Sequence, residues 1–360
     1  MVFRPLSGPS SARLGHGQNL AGRLAVKRAT ITDVAAAAGV SIKTVSRVLN
    51  GEPNVKPDTE ARIRSAMAAL NYTPSVSARS LAGARSYLIG LLFDNPSPAY
   101  VGDLQMGALR RCRQAGYHLI IESLDSTAPD VAATVAELVS TLRVDGLILT
   151  PPVCDHPQIL AELDRAGTPY VRIAPDLEPG RTAFVHMDDR AAAYEMTALL
   201  LAQGHRDIAF IKGHPEHGAS HLRFEGYAAA VAEAGVALRE DRTAQGYFSF
   251  RSGVEAAELL LAGEDRPTAV FASNDDMALG VMSVASRLGL AVPQDLSIAG
   301  FDDTPTARVV WPQMTTVRQP IAEMSAAAAD LLISGAAGQA VSRLLPFEVI
   351  ARESTGPARR

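Results

Sequence analysis

The chain has only two cysteines, Cys112 and Cys154, far apart and with no C-x-x-C pair. That argues against a disulfide framework or a cysteine-built zinc module and fits a reducing cytoplasm. Long apolar runs are also missing: no stretch reaches about 18 residues, so no transmembrane helix is expected. The first residues, MVFRPLSGPSSARLGHGQNLAGRL, hold no continuous apolar core between their Arg, Gly and Pro, and make a poor secretory signal. There is no P-loop, no G-x-S-x-G elbow and no G-x-G-x-x-G after a strand, since GHGQNLAG lies in the tail. An enzyme is therefore not expected, and no cofactor is called for. Low-complexity segments and short repeats are absent as well.

What is present is a composition typical of a soluble globular protein, 47% hydrophobic, 20% charged and 5% aromatic. A length of 360 residues suggests two or three folding units. The net charge of −4 hides an asymmetry. Residues 1–85 carry 12 Lys/Arg against 4 Asp/Glu, a net of +8, and the remainder carries 22 against 34, a net of −12. A basic head on an acidic body suits a chain whose head alone meets a polyanion.

Residues 1–28 are rich in Gly, Ser and Arg without periodicity and are expected to be a disordered basic tail. Three short helical patterns follow between Thr30 and Tyr72. From Ser86 the texture changes to apolar runs (YLIGLLF, YHLIIESL, DGLILT, PYVRIA, AFVHM, DIAFIKG, TAVFAS, LSIAGF) alternating with Ala- and Leu-rich stretches. Near-continuous apolar strands between helices predict parallel sheets covered on both faces, and their number predicts two α/β lobes.

The head reads as a helix-turn-helix. Thr30 is placed to cap a first helix, ITDVAAAAG, with Asp33 completing a capping-box variant. Gly39 sits where the chain must turn, Val40 plugs that turn, and Ser41 caps a second helix. In that helix Val45 and Val48 point to the first helix, while Lys43, Ser46, Arg47 and Asn50 share the opposite arc. Such an arc presents phosphate and base-edge contacts, Arg47 having the fork for guanine. The bland alternative is a solvated charged face. Ile42 is in phase with Val45 and Leu49, which suggests core, yet in the first turn of a recognition helix it can also meet a thymine methyl.

The stretch ITDVAAAAGVSIKTVSRVLNGEPNVKPDTEARIRSAMAALNYTPSVSARSLAG resembles the DNA-binding head of the lactose-repressor/galactose-repressor family of bacterial transcription regulators. SNDDMALG, LSIAGFDDT and MTTVRQP follow in that family's order, so the resemblance runs from about Thr30 to Pro357. It implies a small all-α helix-turn-helix head (29–74), a hinge helix or linker (75–85) and an effector domain (86–357). That domain would be an α/β body of two parallel-sheet lobes, built like periplasmic sugar-binding proteins. Its first lobe would span about 86–187 and 318–343, and its second about 188–317 and 344–353. The resemblance moves Ile42 towards base contact beside Lys43 and Arg47. In SVSARSLAGARS it places Ala78 and Leu81 in the minor groove, Leu81 wedging a base step, with Arg79 and Arg85 at phosphates. A plain linker is the other account of that segment.

In the body, the resemblance implies effector contacts from Tyr100, Arg223, Phe248, Asn274 and Asp302. Each has a structural alternative. The doublets Asp188–Asp189, Asp275–Asp276 and Asp302–Asp303 stand where an Asp often caps a helix, and Phe248 suits a core. Several sugar-sensing members have an acidic residue where this chain has Ala174; with Arg172 nearby, that leaves room for a larger or acidic sugar. In KGHPEHGASH the histidines His214, His217 and His221 with Glu216 do not form H-E-x-x-H, so no metal is expected, and His217 is expected to line the cleft. Trp311 is left open between lobe packing, a dimer interface and ligand stacking. With no heptad tail after FEVIARESTGP, a homodimer on a pseudo-palindromic operator is expected. The implied function is a cytoplasmic, allosteric repressor controlled by a sugar or sugar derivative. The alternative is a solute-binding protein of a transport or sensing system using the same cleft.

Overall fold

The computed structural model describes residues 29–49, 55–72 and 85–359. The expected tail at 1–28, Asn50, and residues 75–84 of the expected hinge, with Ala78, Arg79 and Leu81, lie outside these residues. The chain divides into two compact units, residues 1–84 and 85–360.

In the first unit Thr30 caps α1 (Ile31–Ala38). Its hydroxyl accepts from the Asp33 N–H at 3.3 Å, and the Asp33 carboxylate accepts from the Thr30 N–H at 2.8 Å. Two orphan amides of the first turn are thereby satisfied. The helix ends at Gly39, whose φ of 64° is left-handed and costs a glycine nothing. The Ser41 hydroxyl accepts from the Thr44 N–H at 3.2 Å and opens α2 (Ile42–Leu49). With α3 (Pro57–Ala69) these helices enclose Val34, Ala35, Ala38, Val45, Val48, Ile63, Ala66 and Tyr72. Short helices of this length are marginal alone, so the shared core holds them.

In the second unit strand and helix alternate. The first run is β1 (Leu88–Phe93), α4 (Pro98–Gln114), β2 (His118–Ser123), α5 (Val131–Leu142), β3 (Gly146–Leu149), α6 (Pro157–Ala166), β4 (Tyr170–Ile173) and β5 (Phe184–His186). Next come α7 (Asp189–Ala202), β6 (Ile208–Lys212), α8 (Gly218–Glu233), β7 (Thr243–Gln245), α9 (Phe250–Leu260), β8 (Ala269–Ala272), α10 (Asp275–Arg287) and β9 (Ser297–Ala299). The chain closes with α11 (Pro305–Val309), β10 (Thr316–Arg318), α12 (Ile321–Ile333), β11 (Ser342–Leu344) and β12 (Glu348–Ile350).

Two parallel sheets result. One has the order β11-β5-β4-β3-β1-β2 and the other β7-β6-β8-β9. Every residue of β3, β4 and β8 is buried, as strands covered on both faces must be. The chain passes from the first sheet to the second between β5 and α7. It returns through β10, which pairs antiparallel with β12 in a separate two-stranded ribbon. Helix α12 therefore packs on α4 and β4 of the first sheet although it follows the second in sequence. The α4–α12 crossing is close: a Cβ at Gly107 would overlap the Ala322 carbonyl. Cys112 and Cys154 are both buried and free. Among the described residues no helix is long and apolar enough to cross a membrane.

Candidate functional site

A cleft lies at the C-terminal ends of the strands of both sheets, enclosing about 500 Å³ of free space including its mouth. Asn95, Ser97 and Tyr100 follow β1, Pro151 follows β3, Ala174 follows β4, and Met187 follows β5. From the other side come His217 after β6, Phe248 after β7, Asn274 after β8 and Asp302 after β9. Carboxyl ends of parallel strands are where open α/β sheets bind ligands, because the following loops diverge there. The six positions expected from the sequence to meet an effector, Tyr100, His217, Arg223, Phe248, Asn274 and Asp302, all line this one cleft.

Arg223 is its electrostatic centre. The side chain is almost fully buried on α8, donating from Nε to Asp189 at 2.8 Å and from Nη1 to the Ser273 carbonyl at 2.6 Å. Its guanidinium also stacks 3.7 Å from the centre of the Phe301 ring. Burial pushes the Asp189 carboxyl up, and the Arg223 charge and hydrogen bond oppose that rise. In the sequence Asp189 reads as a possible cap. The doublet in fact divides its work: Asp188 caps α7, accepting from the Ala191 N–H at 2.8 Å, while Asp189 pairs with Arg223.

Asp302 is buried beside them at a φ of 122° and accepts a hydrogen bond from the Gln319 amide. Burial drives its carboxyl well above the usual range, Arg223 opposing and Asp275 reinforcing the rise. Asn274 combines both roles weighed for it. Its side-chain oxygen caps α10 by accepting from the Met277 N–H at 2.9 Å, and its amide donates to the Phe248 carbonyl at 3.0 Å. One amide hydrogen is left for a ligand. Phe248, at a φ of 57°, turns its ring into the cleft 5.3 Å from the His217 ring. Burial lowers the pKa of His217 to about 3, helped by His214 and Arg223, so its imidazole is neutral near pH 7. The Tyr100 hydroxyl is pushed up by burial and by Asp302.

Sequence reasoning missed Asn95, Ser97 and Gln319. The Ser97 hydroxyl is buried, lines the cleft and has no hydrogen-bond partner among the described residues, which marks it as a group awaiting a partner. Its position in NPSP, directly after the first strand, was the available signal. Arg172 behaves differently from its sequence reading. It is fully buried outside the cleft lining, bonded to Asp155 and to the carbonyls of Leu177 and Glu178. Its charge is spent holding the 174–178 loop, so it supplies no cation to an acidic ligand. His214 accepts from the Glu216 N–H and His221 bonds the Pro215 carbonyl. Among the described residues no three His, Cys, Asp or Glu side chains come together to hold a metal. Trp311 is 83% exposed and does not line the cleft.

In the head, Lys43 and Arg47 are exposed on α2, Ser46 is half-buried, and Val45 and Val48 are buried on the opposite side. Ile42 is 48% exposed, so its phase with Val45 does not place it in the core. An apolar side chain held out beside two cations has the chemistry to meet a base methyl between phosphates.

Residues 30–75 match the model of the bacterial regulatory proteins, lacI family, and residues 197–355 match the periplasmic binding protein-like domain. Catabolite control protein A of Priestia megaterium is 33% identical over 91% of this chain and 99% of its own length. A solved complex of the transcriptional regulator CelR with cellobiose superimposes with a TM-score of 0.70 at 30% identity, covering 91% of this chain and all of that one. The lac repressor dimer bound to operator and the anti-inducer ONPF gives 0.76 at 29% identity, covering 92% and 100%.

Proposed function

This chain belongs to the lacI family of bacterial regulatory proteins and is a DNA-binding transcription regulator; we propose that it is a repressor whose operator affinity is set by a neutral, polyhydroxylated effector, a sugar or sugar derivative, held in the cleft. The observation that carries the proposal is one chain holding both an exposed basic recognition face on α2 and a buried cleft of convergent polar groups.

The chemistry of the cleft favours hydroxyls. Asp302 and Asn95 bring acceptors, Ser97 brings an uncommitted hydroxyl, and Arg223 and Asn274 bring donors, while Phe248 offers a ring face to stack on. Arg223 is closed on Asp189, Arg172 is spent elsewhere, and burial favours the neutral form of Asp302, so the cleft offers hydrogen-bond partners rather than an uncommitted charge. An anionic ligand would enter a buried site whose arginines are already paired, with no uncommitted cation to balance it. The relative solved with cellobiose holds a ligand of the neutral class.

The chain acts as a homodimer on a pseudo-palindromic operator in the cytoplasm, where the DNA is. The lac repressor, which shares this fold, is a dimer on its operator, and here Val309 and Trp311, 80% and 83% exposed, offer an apolar surface to a second copy. Effector binding changes the angle between the two lobes, and the ligand shifts DNA affinity only by its differential affinity for the two states.

A thermal-shift screen of the full chain against neutral sugars, sugar acids, sugar phosphates and purines tests this. A ligand at about 100 times its Kd stabilises the folded state by about 2.7 kcal/mol. A neutral sugar should raise the Tm, and the Arg223→Ala chain should lose the response. A response confined to anions contradicts the proposal.

A further inference from the structure

Asp303 stands beside the cleft carboxylate Asp302 and faces away from the cleft, where three arginines from three segments converge on it. Arg318, the last residue of β10, donates from Nε at 2.7 Å. Arg352, just after β12, donates from Nη2, and Arg308 of α11 donates from Nη2 at 3.0 Å. The Asp303 side chain is fully buried, while Arg308 and Arg318 are half exposed and Arg352 is nearly buried. One further anion faces the cluster: Glu348 of β12 takes Arg318 Nη1 at 2.7 Å. Three cations thus share two carboxylates.

Simple neutralisation of a buried carboxylate needs one partner, and here three are recruited from three separate segments. Strands β10 and β12 lie on two of the chain's passages between the sheets, so a change of angle between the lobes bears on Arg318 and Arg352. Helix α11 leads through Arg308 into the exposed Val309–Trp311 surface. Residues 302 and 303 are also stitched to β10. The Asp302 N–H donates to the Val317 carbonyl at 2.8 Å, and the Asp303 N–H donates to the Thr316 hydroxyl at 3.4 Å. Both residues hold positive φ; the 57° of Asp303 is a left-handed backbone that Asp adopts comparatively readily, whereas the 122° of Asp302 is sparsely populated for a residue with a side chain.

We propose that Asp303 is the coupling residue of the effector cleft: its one buried carboxylate ties the ligand-facing Asp302 to the interlobe ribbon through Arg318 and Arg352, and to the exposed α11–Trp311 segment through Arg308. This rests on the effector function of the cleft. A ligand that repositions Asp302 turns the Asp302–Asp303 peptide, and the arginines carry that movement to the ribbon and to the surface segment. Asp303 does not line the cleft, so it acts as a positioning residue.

Trp311 is the only tryptophan, so intrinsic emission of the full chain reads the α11 segment directly. The probes are cellobiose, ribose, N-acetylglucosamine, glucuronate and hypoxanthine, with thermal shift reporting binding and emission reporting coupling. A probe that stabilises the wild-type chain should also change Trp311 emission at saturation. Arg308→Ala, a change at a half-exposed side chain, should bind that probe within about threefold of wild type yet lose most of the emission change. Arg308→Lys, which keeps a point charge for Asp303, should restore part of it. Asp303→Asn should lose the emission change and weaken binding about tenfold or more. A full emission response in Arg308→Ala overturns the coupling path, as does a bound probe that leaves wild-type emission unchanged; in both cases the effector function stands, because the thermal shift is retained. If no probe stabilises the wild-type chain, the effector function fails and the coupling with it.

Discussion

Arg223 and Asp189 meet across 2.8 Å with both side chains at most 5% exposed, joining α8 to the first residue of α7 at the floor of the cleft. A buried pair of this kind gives little net stability by itself, yet removing one partner strands the other's charge. Arg223→Ala should therefore destabilise the body by about 3 kcal/mol as well as remove a ligand contact. Replacing both residues by alanine should recover part of that loss. Urea denaturation of the single and double variants measures it, and strictly additive losses would show that the two residues do not act as a pair.

The buried imidazole of His217 gives a pH signature. Its pKa falls from 6.5 to about 3 on folding because burial disfavours the charged form. Between those values the unfolded chain holds the extra proton, so stability is fully present above about pH 6.5 and is lost as pH falls towards about 3. Asp275, pushed up to about 7 by burial, works in the opposite sense in the same window, since its stability is lost as pH rises. The useful quantity is thus the difference between wild type and His217→Gln. Wild type should lose about 2 kcal/mol more than the variant between about pH 6.5 and pH 4.5. Parallel denaturation curves across that range would contradict the burial argument.

At the cleft mouth the 174–178 loop meets the start of α8. A Cβ at Gly218 would overlap the Asp176 side chain, whose loop is held by Arg172 and Asp155. Gly218→Ala forces these segments apart and should cost about 1–3 kcal/mol of stability in this arrangement of the cleft mouth. The expected readout is weaker effector binding in calorimetry. Gly180→Ala, where a Cβ meets nothing, serves as the neutral control.

Much of this was legible in the sequence because buried parallel strands announce themselves. YLIGLLF, DGLILT, PYVRIA and TAVFAS became β1, β3, β4 and β8. The strands that went unseen, β7, β10, β11 and β12, are three residues long and carry no run to detect. Capping chemistry gave the head: Thr30, Asp33, Gly39 and Ser41 act locally, within reach of the residues that reveal them. The cleft was legible only in part. Arg223 and Asp302 stand in recognisable motifs, whereas Asp189 and Gln319 act through partners 34 and 17 residues away. Arg172 misled because a cation near a cleft looks available until the carbonyls of Leu177 and Glu178 are seen to occupy it.

On the DNA side, Arg47→Ala should weaken binding to a selected operator by about 1–3 kcal/mol and relax its preference at one base pair. Arg79→Ala, at a residue the resemblance places on a phosphate, should weaken all sequences alike and lower the salt slope by about 1. Anisotropy titrations at several salt concentrations separate the two outcomes, and identical behaviour of both variants would contradict a division between base and phosphate contact.

The most direct test of the central claim is the operator affinity of the full chain with and without bound effector. Duplexes selected in vitro supply the operator, and the stabilising compound from the thermal-shift screen supplies the effector. Saturating compound should change the operator Kd at least about tenfold, equivalent to about 1.4 kcal/mol of coupling, and Arg223→Ala should bind DNA without responding. An operator Kd that no cleft-binding compound alters would contradict the account.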